Sequence, residues 1–131
     1  MMNYFPLARL PRFLATISFV IYTLSLVSCV NDPLEPIDPT KALLEVYVYG
    51  ALSLEPRDNI LVSVHLTELD AENGTNEVPE KRYTDRDGLV TFRNLEPSKQ
   101  YWVRAKPLVG HSKEETDVLS VGYNYHSIDI L

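Results

Sequence analysis

From residue 42 onward, apolar residues recur at every second position. In "ALLEVYVYG" (Ala42 to Gly50), Leu44, Val46 and Val48 share one parity and Glu45, Tyr47 and Tyr49 the other. A period of two sends neighbouring side chains to opposite faces of an extended chain, so it predicts half-buried strands. "NILVSVHLT" repeats the pattern, with Ile60, Val62, Val64 and Leu66 on one face and Ser63 and His65 on the other. A short strand fits Lys81 to Thr84. "LVTFRNL" turns Val90 and Phe92 inward. "QYWVRAK" sets Tyr101, Val103 and Ala105 against Trp102, Arg104 and Lys106. The final run, Val118 to Leu131, holds one long strand or two short ones, with Ile128 and Ile130 inward. Polar breaks separate these runs: Asp70 to Pro79 with an Asn73-Gly74 turn, Asp85 to Gly88, Glu96 to Lys99, and a charged loop from Pro107 to Asp117. No segment combines helical periodicity with caps. The expectation is an all-β, antiparallel sandwich of six or seven strands over residues 42–131.

No disulfide can staple that sandwich. The chain has one cysteine, Cys29, so no internal disulfide exists and core packing must carry the stability. Cys29 also divides the chain in charge. Residues 1–28 contain no acid and only Arg9 and Arg12; the remainder holds 10 basic against 18 acidic residues, a formal −8. An acidic domain repels phosphate backbones, which argues against nucleic-acid binding.

Arg9 and Arg12 precede Phe13 to Val27, 15 residues without charge. That is short for a membrane span of about 20 residues and has the form of a signal peptide. Its end, Leu26-Val27-Ser28-Cys29, resembles the lipobox of bacterial lipoproteins. The resemblance implies that the Cys29 thiol takes a diacylglycerol group, that cleavage precedes it, and that the new amine is acylated. Each buried CH₂ contributes about 0.8 kcal/mol, so several acyl chains hold a protein on a membrane. Val30, rather than Asp, follows the cysteine, which under enterobacterial sorting implies the outer membrane. Asn31 and Asp32 resemble the surface-export signals of Bacteroidota lipoproteins. Pro33, Pro36 and Pro39 then favour an extended spacer. The expected organisation is a signal peptide over 1–28, a lipidated cysteine and proline-rich tether over 29–41, and the sandwich over 42–131.

A more specific pattern runs from Tyr83 to Pro107. Thr84, Asp87-Gly88, Val90, Phe92, Leu95, Pro97, Tyr101 and Val103 resemble the spacing of prealbumin-like (transthyretin-like) modules, including carboxypeptidase regulatory-like and adhesin B-type domains. The resemblance implies an Ig-like sandwich in which Asp87-Gly88 makes the hairpin turn, Leu95 caps one end, and Tyr101 buries its ring with its hydroxyl on nearby backbone. A fibronectin type III module shares Leu-x-Pro and Tyr-x-Val but lacks the Gly-x-x-x-Phe hairpin.

Chemistry-bearing residues are sparse. Asp85 and Glu96 stand twelve positions apart, as in a calcium loop, but the intervening strand makes a tight turn the better reading. His65, His111 and His126 lack metal-ligand spacing and read as surface or strand-face histidines. There is no nucleophile elbow. The 5-hydroxyisourate hydrolases of this fold end in Tyr-Arg-Gly-Ser, whereas this chain ends "YHSIDIL", so no catalytic residue, metal or cofactor is expected. Adhesin B-type modules cross-link Lys to Asn; Lys41 and Asn124, with Glu45 or Glu68 as the acid, are the available pair and are expected to stay unlinked. The most distinctive surface feature is aromatic. Tyr47 and Tyr49 face away from the core, and Tyr123 and Tyr125 do so if Ile128 and Ile130 point in. First and last strands often share a sheet in such folds, which would join the four into one binding face for a protein or glycan. The sequence therefore implies a non-catalytic, lipid-anchored interaction, adhesion or accessory protein of the cell envelope. A carbohydrate-binding accessory of glycan uptake and a transthyretin-related hydrolase are the alternatives.

Overall fold

The computed structural model describes residues 36–131. The expected signal peptide, Cys29 and the first part of the expected tether lie outside the described residues. Within them the alternating runs become seven strands: β1 (Ala42–Gly50), β2 (Leu61–His65), β3 (Arg82–Tyr83), β4 (Leu89–Leu95), β5 (Trp102–Lys106), β6 (Ser112–Glu115) and β7 (Gly122–Ile130). They form two sheets, one ordered β4-β1-β7 and the other β3-β2-β5-β6.

The expected inward residues make the core. Leu44, Val46, Val48, Val62, Val64, Val90, Phe92, Leu95, Tyr101, Val103, Ala105, Ile128 and Ile130 form one buried cluster between the sheets. Tyr101 sits as its spacing implies. Its hydroxyl donates to the Glu96 carbonyl at 3.2 Å and accepts from the Glu96 N–H at 3.0 Å, so a fully buried phenol is satisfied by backbone five residues away. Asn94 and Glu96 also hold the end of the tether. The Asp38 N–H donates to Asn94 Oδ1 at 3.0 Å, and the Lys41 ammonium pairs with the Glu96 carboxylate.

Four expectations are corrected. The sandwich is not wholly antiparallel, because β1 and β7 pair in parallel along their full length. The polar stretch before Asn73-Gly74 is not only loop: Glu68–Asn73 forms a short helix, α1. Thr67 caps it by accepting the Asp70 N–H at 3.1 Å, and Gly74 closes it at φ 64°, a left-handed position that glycine adopts without Cβ strain. Six residues are too few for a readable helical period, so only the caps carried a signal. Leu66 is 51% exposed because β2 ends one residue earlier, and the opposite-parity His65 is buried under α1 instead. The loop after Pro107 contains β6, whose Ser112-Lys113-Glu114-Glu115 sequence shows no apolar alternation because both of its faces lie near solvent.

The Asp85–Gly88 turn is tight, as its residues imply, but it joins strands of different sheets rather than one hairpin. Asp85 Oδ1 accepts the N–H groups of Asp87 at 2.9 Å and Leu89 at 3.0 Å, and Gly88 takes φ 71°. A side chain at Gly88 would stand 2.7 Å from the Val48 carbonyl, so this crossover needs glycine twice over.

Candidate functional site

The outer face of the three-stranded sheet gathers the four expected tyrosines. Odd-numbered residues of β1 and β7 point away from the core, and the parallel register fixes their neighbours. Tyr123 lies beside Leu43, Tyr125 beside Glu45, Ser127 beside Tyr47 and Asp129 beside Tyr49. On the other side of β1, Thr91 and Leu89 of β4 stand opposite Glu45 and Tyr47. Tyr123 and Tyr125 are 66% and 69% exposed. The Tyr47 and Tyr49 rings are half-buried and stack with centroids 6.5 Å apart and planes 11° from parallel. Successive outward positions on a strand fall at about this spacing, so strand geometry itself sets the stack.

Glu45 sits amid these rings. Partial withdrawal from water raises the Tyr47 hydroxyl above its ordinary pKa, and the Glu45 carboxylate beside it adds to the shift. Tyr47 is thus a neutral hydrogen-bonding phenol throughout the physiological range. The face offers flat rings for stacking, hydroxyls that donate or accept, and the acceptor carboxylates of Glu45 and Asp129. None of the three histidines lies on it.

Those histidines serve elsewhere. His65 Nδ1–H donates to the Thr75 carbonyl at 2.7 Å, and its Nε2 accepts from the Ser63 hydroxyl at 2.8 Å. The Thr75 carbonyl can only accept, which places a proton on Nδ1, and burial favours the neutral ring by holding its pKa below the ordinary value of 6.5. This serine–histidine pair carries no carboxylate behind the imidazole. It lies under α1, where it pins the segment after the helix to β2. His126 is likewise lowered by burial, with Glu114 and Asp117 opposing the shift. His111 reaches Glu72 at 3.4 Å, beside Lys113.

A pH dependence follows. Both rings favour the neutral form in the fold and titrate near pH 6.5 when unfolded, so the unfolded chain binds more protons below that value. Stability is therefore full above about pH 6.5 and falls as the pH drops toward the lowered folded values. The melting temperature should decrease between about pH 7.5 and pH 5.5, before carboxylates titrate. His65→Gln should melt lower at pH 7.5 and lose part of that slope. A flat wild-type profile would contradict the assignment.

The remaining candidates are placed apart. Asp85 is engaged by backbone and Glu96 by Lys41, so they do not share a cation site. Asn124 donates its amide to the carbonyls of Leu43, Ser120 and Gly122, away from the paired Lys41 ammonium. One feature escaped the sequence reading. At the end of the sandwich opposite the tether, a groove of about 700 Å³ opens among Asp58, Asn59, Ile60, Leu61, Tyr83, Lys106, Pro107 and Leu108. Leu108 on its rim is fully exposed. Pro107-Leu108, in a segment lacking alternation, was the available signal.

No family model matches the sequence, and no curated protein matches it. Several solved structures are similar to it. The backbone protein of group B streptococcus pilus 2b has a TM-score of 0.51 at 11% identity, covering 78% of this chain and 45% of that one. A presumptive carbohydrate-binding protein from Bacteroides uniformis gives 0.48 at 15% identity, over 70% and 41%. The 5-hydroxyisourate hydrolase of Klebsiella pneumoniae gives 0.46 at 12% identity, over 72% and 91%. The chain spans less than half of the pilus and carbohydrate-binding structures. At such identities the likeness is one of architecture: this is a two-sheet β-sandwich, as the pilus backbone protein's similarity also indicates.

Proposed function

We propose that this is a lipid-anchored, non-catalytic interaction protein of the outer membrane and cell surface, and that it works through the tyrosine face of β1 and β7. The observation that supports it is the collection of four tyrosines on one face, two of them widely exposed. Tyrosines lose little conformational freedom on contact and bring both an apolar ring and a hydroxyl, which suits them to anchor a partner. The proline-rich tether enters at the start of β1, so the anchor supplies address and the rigid sheet supplies the contact.

A carbohydrate ligand is the second reading, and Glu45 and Asp129 favour it. Carboxylates accept hydrogen bonds from vicinal sugar hydroxyls, while tyrosine rings stack on the apolar faces of sugars. An open sheet face without a cleft fits an extended polysaccharide better than a small ligand, which needs one. The test is binding of a panel of oligosaccharides and insoluble polysaccharides to the full chain. Tyr123→Ala/Tyr125→Ala should weaken binding at least tenfold, a loss of about 1.4 kcal/mol or more. Tyr83→Ala, an exposed tyrosine on the other sheet, should leave it unchanged. Equal binding by the double variant would contradict the face; absence of any glycan binding would leave a protein partner.

A further inference from the structure

Among the described residues, strand β7 is the edge of its sheet and pairs with β1 alone. Its hydrogen-bonding parity follows from its two ends. The Gly122 N–H donates to the Lys41 carbonyl at 3.0 Å, and the Ile130 carbonyl accepts from the Ala51 N–H at 2.8 Å. Even-numbered residues therefore bond to β1. Tyr123, Tyr125, Ser127 and Asp129 turn their N–H and C=O groups to the open side.

Natural sheet edges are usually blunted by shortness, charge, proline or bulges. The other edges here follow that rule. β3 has two residues. β6 has four, three of them charged. β4 has a register irregularity opposite Ala42–Leu44 and Asn94 at φ 57°. β7 runs nine residues as Gly-Tyr-Asn-Tyr-His-Ser-Ile-Asp-Ile, with no proline, lysine or arginine.

We propose that β7 pairs antiparallel with β7 of a second copy of this chain, about a two-fold axis at His126. The sequence suits its own reverse in that register. Tyr123 falls opposite Asp129 of the second copy and Tyr125 opposite Ser127, so all four open-side residues meet residues of matching parity. Each such pair exchanges two N–H···O bonds, giving about eight across the interface. No like charges face each other, since each Asp129 stands opposite Tyr123. An isologous contact of this kind closes on itself and leaves neither β7 edge exposed. It also makes one continuous six-stranded sheet, so two tyrosine faces align side by side in the same outer surface. The pairing stands whatever that face binds.

Light scattering on the full chain in detergent, corrected for bound detergent, tests this directly. The wild type should run at the mass of two chains. Ser127→Pro removes an open-side N–H and leaves the ladder to β1 intact, so it should run as one chain with an unchanged circular-dichroism spectrum. If the proline variant does not fold, Ser127→Lys, which keeps the backbone and supplies an edge charge, should run as one chain instead. A wild type at the mass of one chain overturns self-pairing and leaves the edge to a strand from a different protein. A folded Ser127→Pro or Ser127→Lys that still runs as two overturns the β7 contact.

Discussion

Phe92→Ala is expected to lower the unfolding free energy by about 3–5 kcal/mol, the usual cost of removing a fully buried phenyl ring and leaving its cavity. Phe92 lies midway along β4, in register with Leu44, and is completely buried in the cluster shared by both sheets. Small domains hold only about 5–15 kcal/mol in total, so one side chain carries a large share. The chain has no compensating staple, because its single cysteine cannot close a disulfide within it. Urea unfolding should show a lower midpoint with an unchanged slope, since the surface exposed on unfolding barely differs. A midpoint shift equivalent to less than about 1 kcal/mol would mean that the site collapses around the deletion or that the core is looser than its burial implies.

The second large effect concerns address rather than stability. In cells supplied with a palmitate analogue, the wild-type chain should take label and Cys29→Ala should take none. The expectation rests on the chemistry of one atom: Cys29 is the only thiol and stands directly after the small residue that closes the apolar run. Acyl attachment sums over many buried CH₂ groups at about 0.8 kcal/mol each, so its loss should also release the protein from the membrane fraction. Label that persists on Cys29→Ala would contradict the lipid anchor. A membrane-retained, unlabelled Cys29→Ala would instead mean that the apolar run itself anchors the chain.

Much of the fold was legible because strand alternation writes burial into sequence parity. Leu44, Val46, Val48, Phe92, Val103 and Ile128 needed only a period of two to be placed in the core. Tyr101 was legible through its spacing from Leu95 and Pro97, and its hydroxyl binds backbone as that spacing implies. His65 was not. Its parity put it on the outer face correctly, but whether an outer face meets water depends on what crosses it, and α1 crosses this one. The helix escaped because six residues give less than two turns. β6 escaped because an edge strand with charged residues on both faces has no apolar period to read. Of the tyrosine face, the parity of each residue was readable along the chain. The parallel pairing of β1 with β7, which brings Tyr125 beside Glu45, is a long-range contact that local pattern does not encode.

The account stands most directly on the tyrosine face. A photo-crosslinking phenylalanine analogue placed at Tyr125 of the full chain, and separately at the comparably exposed Tyr83, samples the two sheets in living cells. Beside any adduct between two copies of the chain through β7, the account predicts an adduct with a different molecule from position 125 that is lost when Tyr47 and Tyr123 are both changed to alanine, and none from position 83. Adducts with a different molecule in equal yield from both positions, or one from 125 that survives the double change, would contradict it.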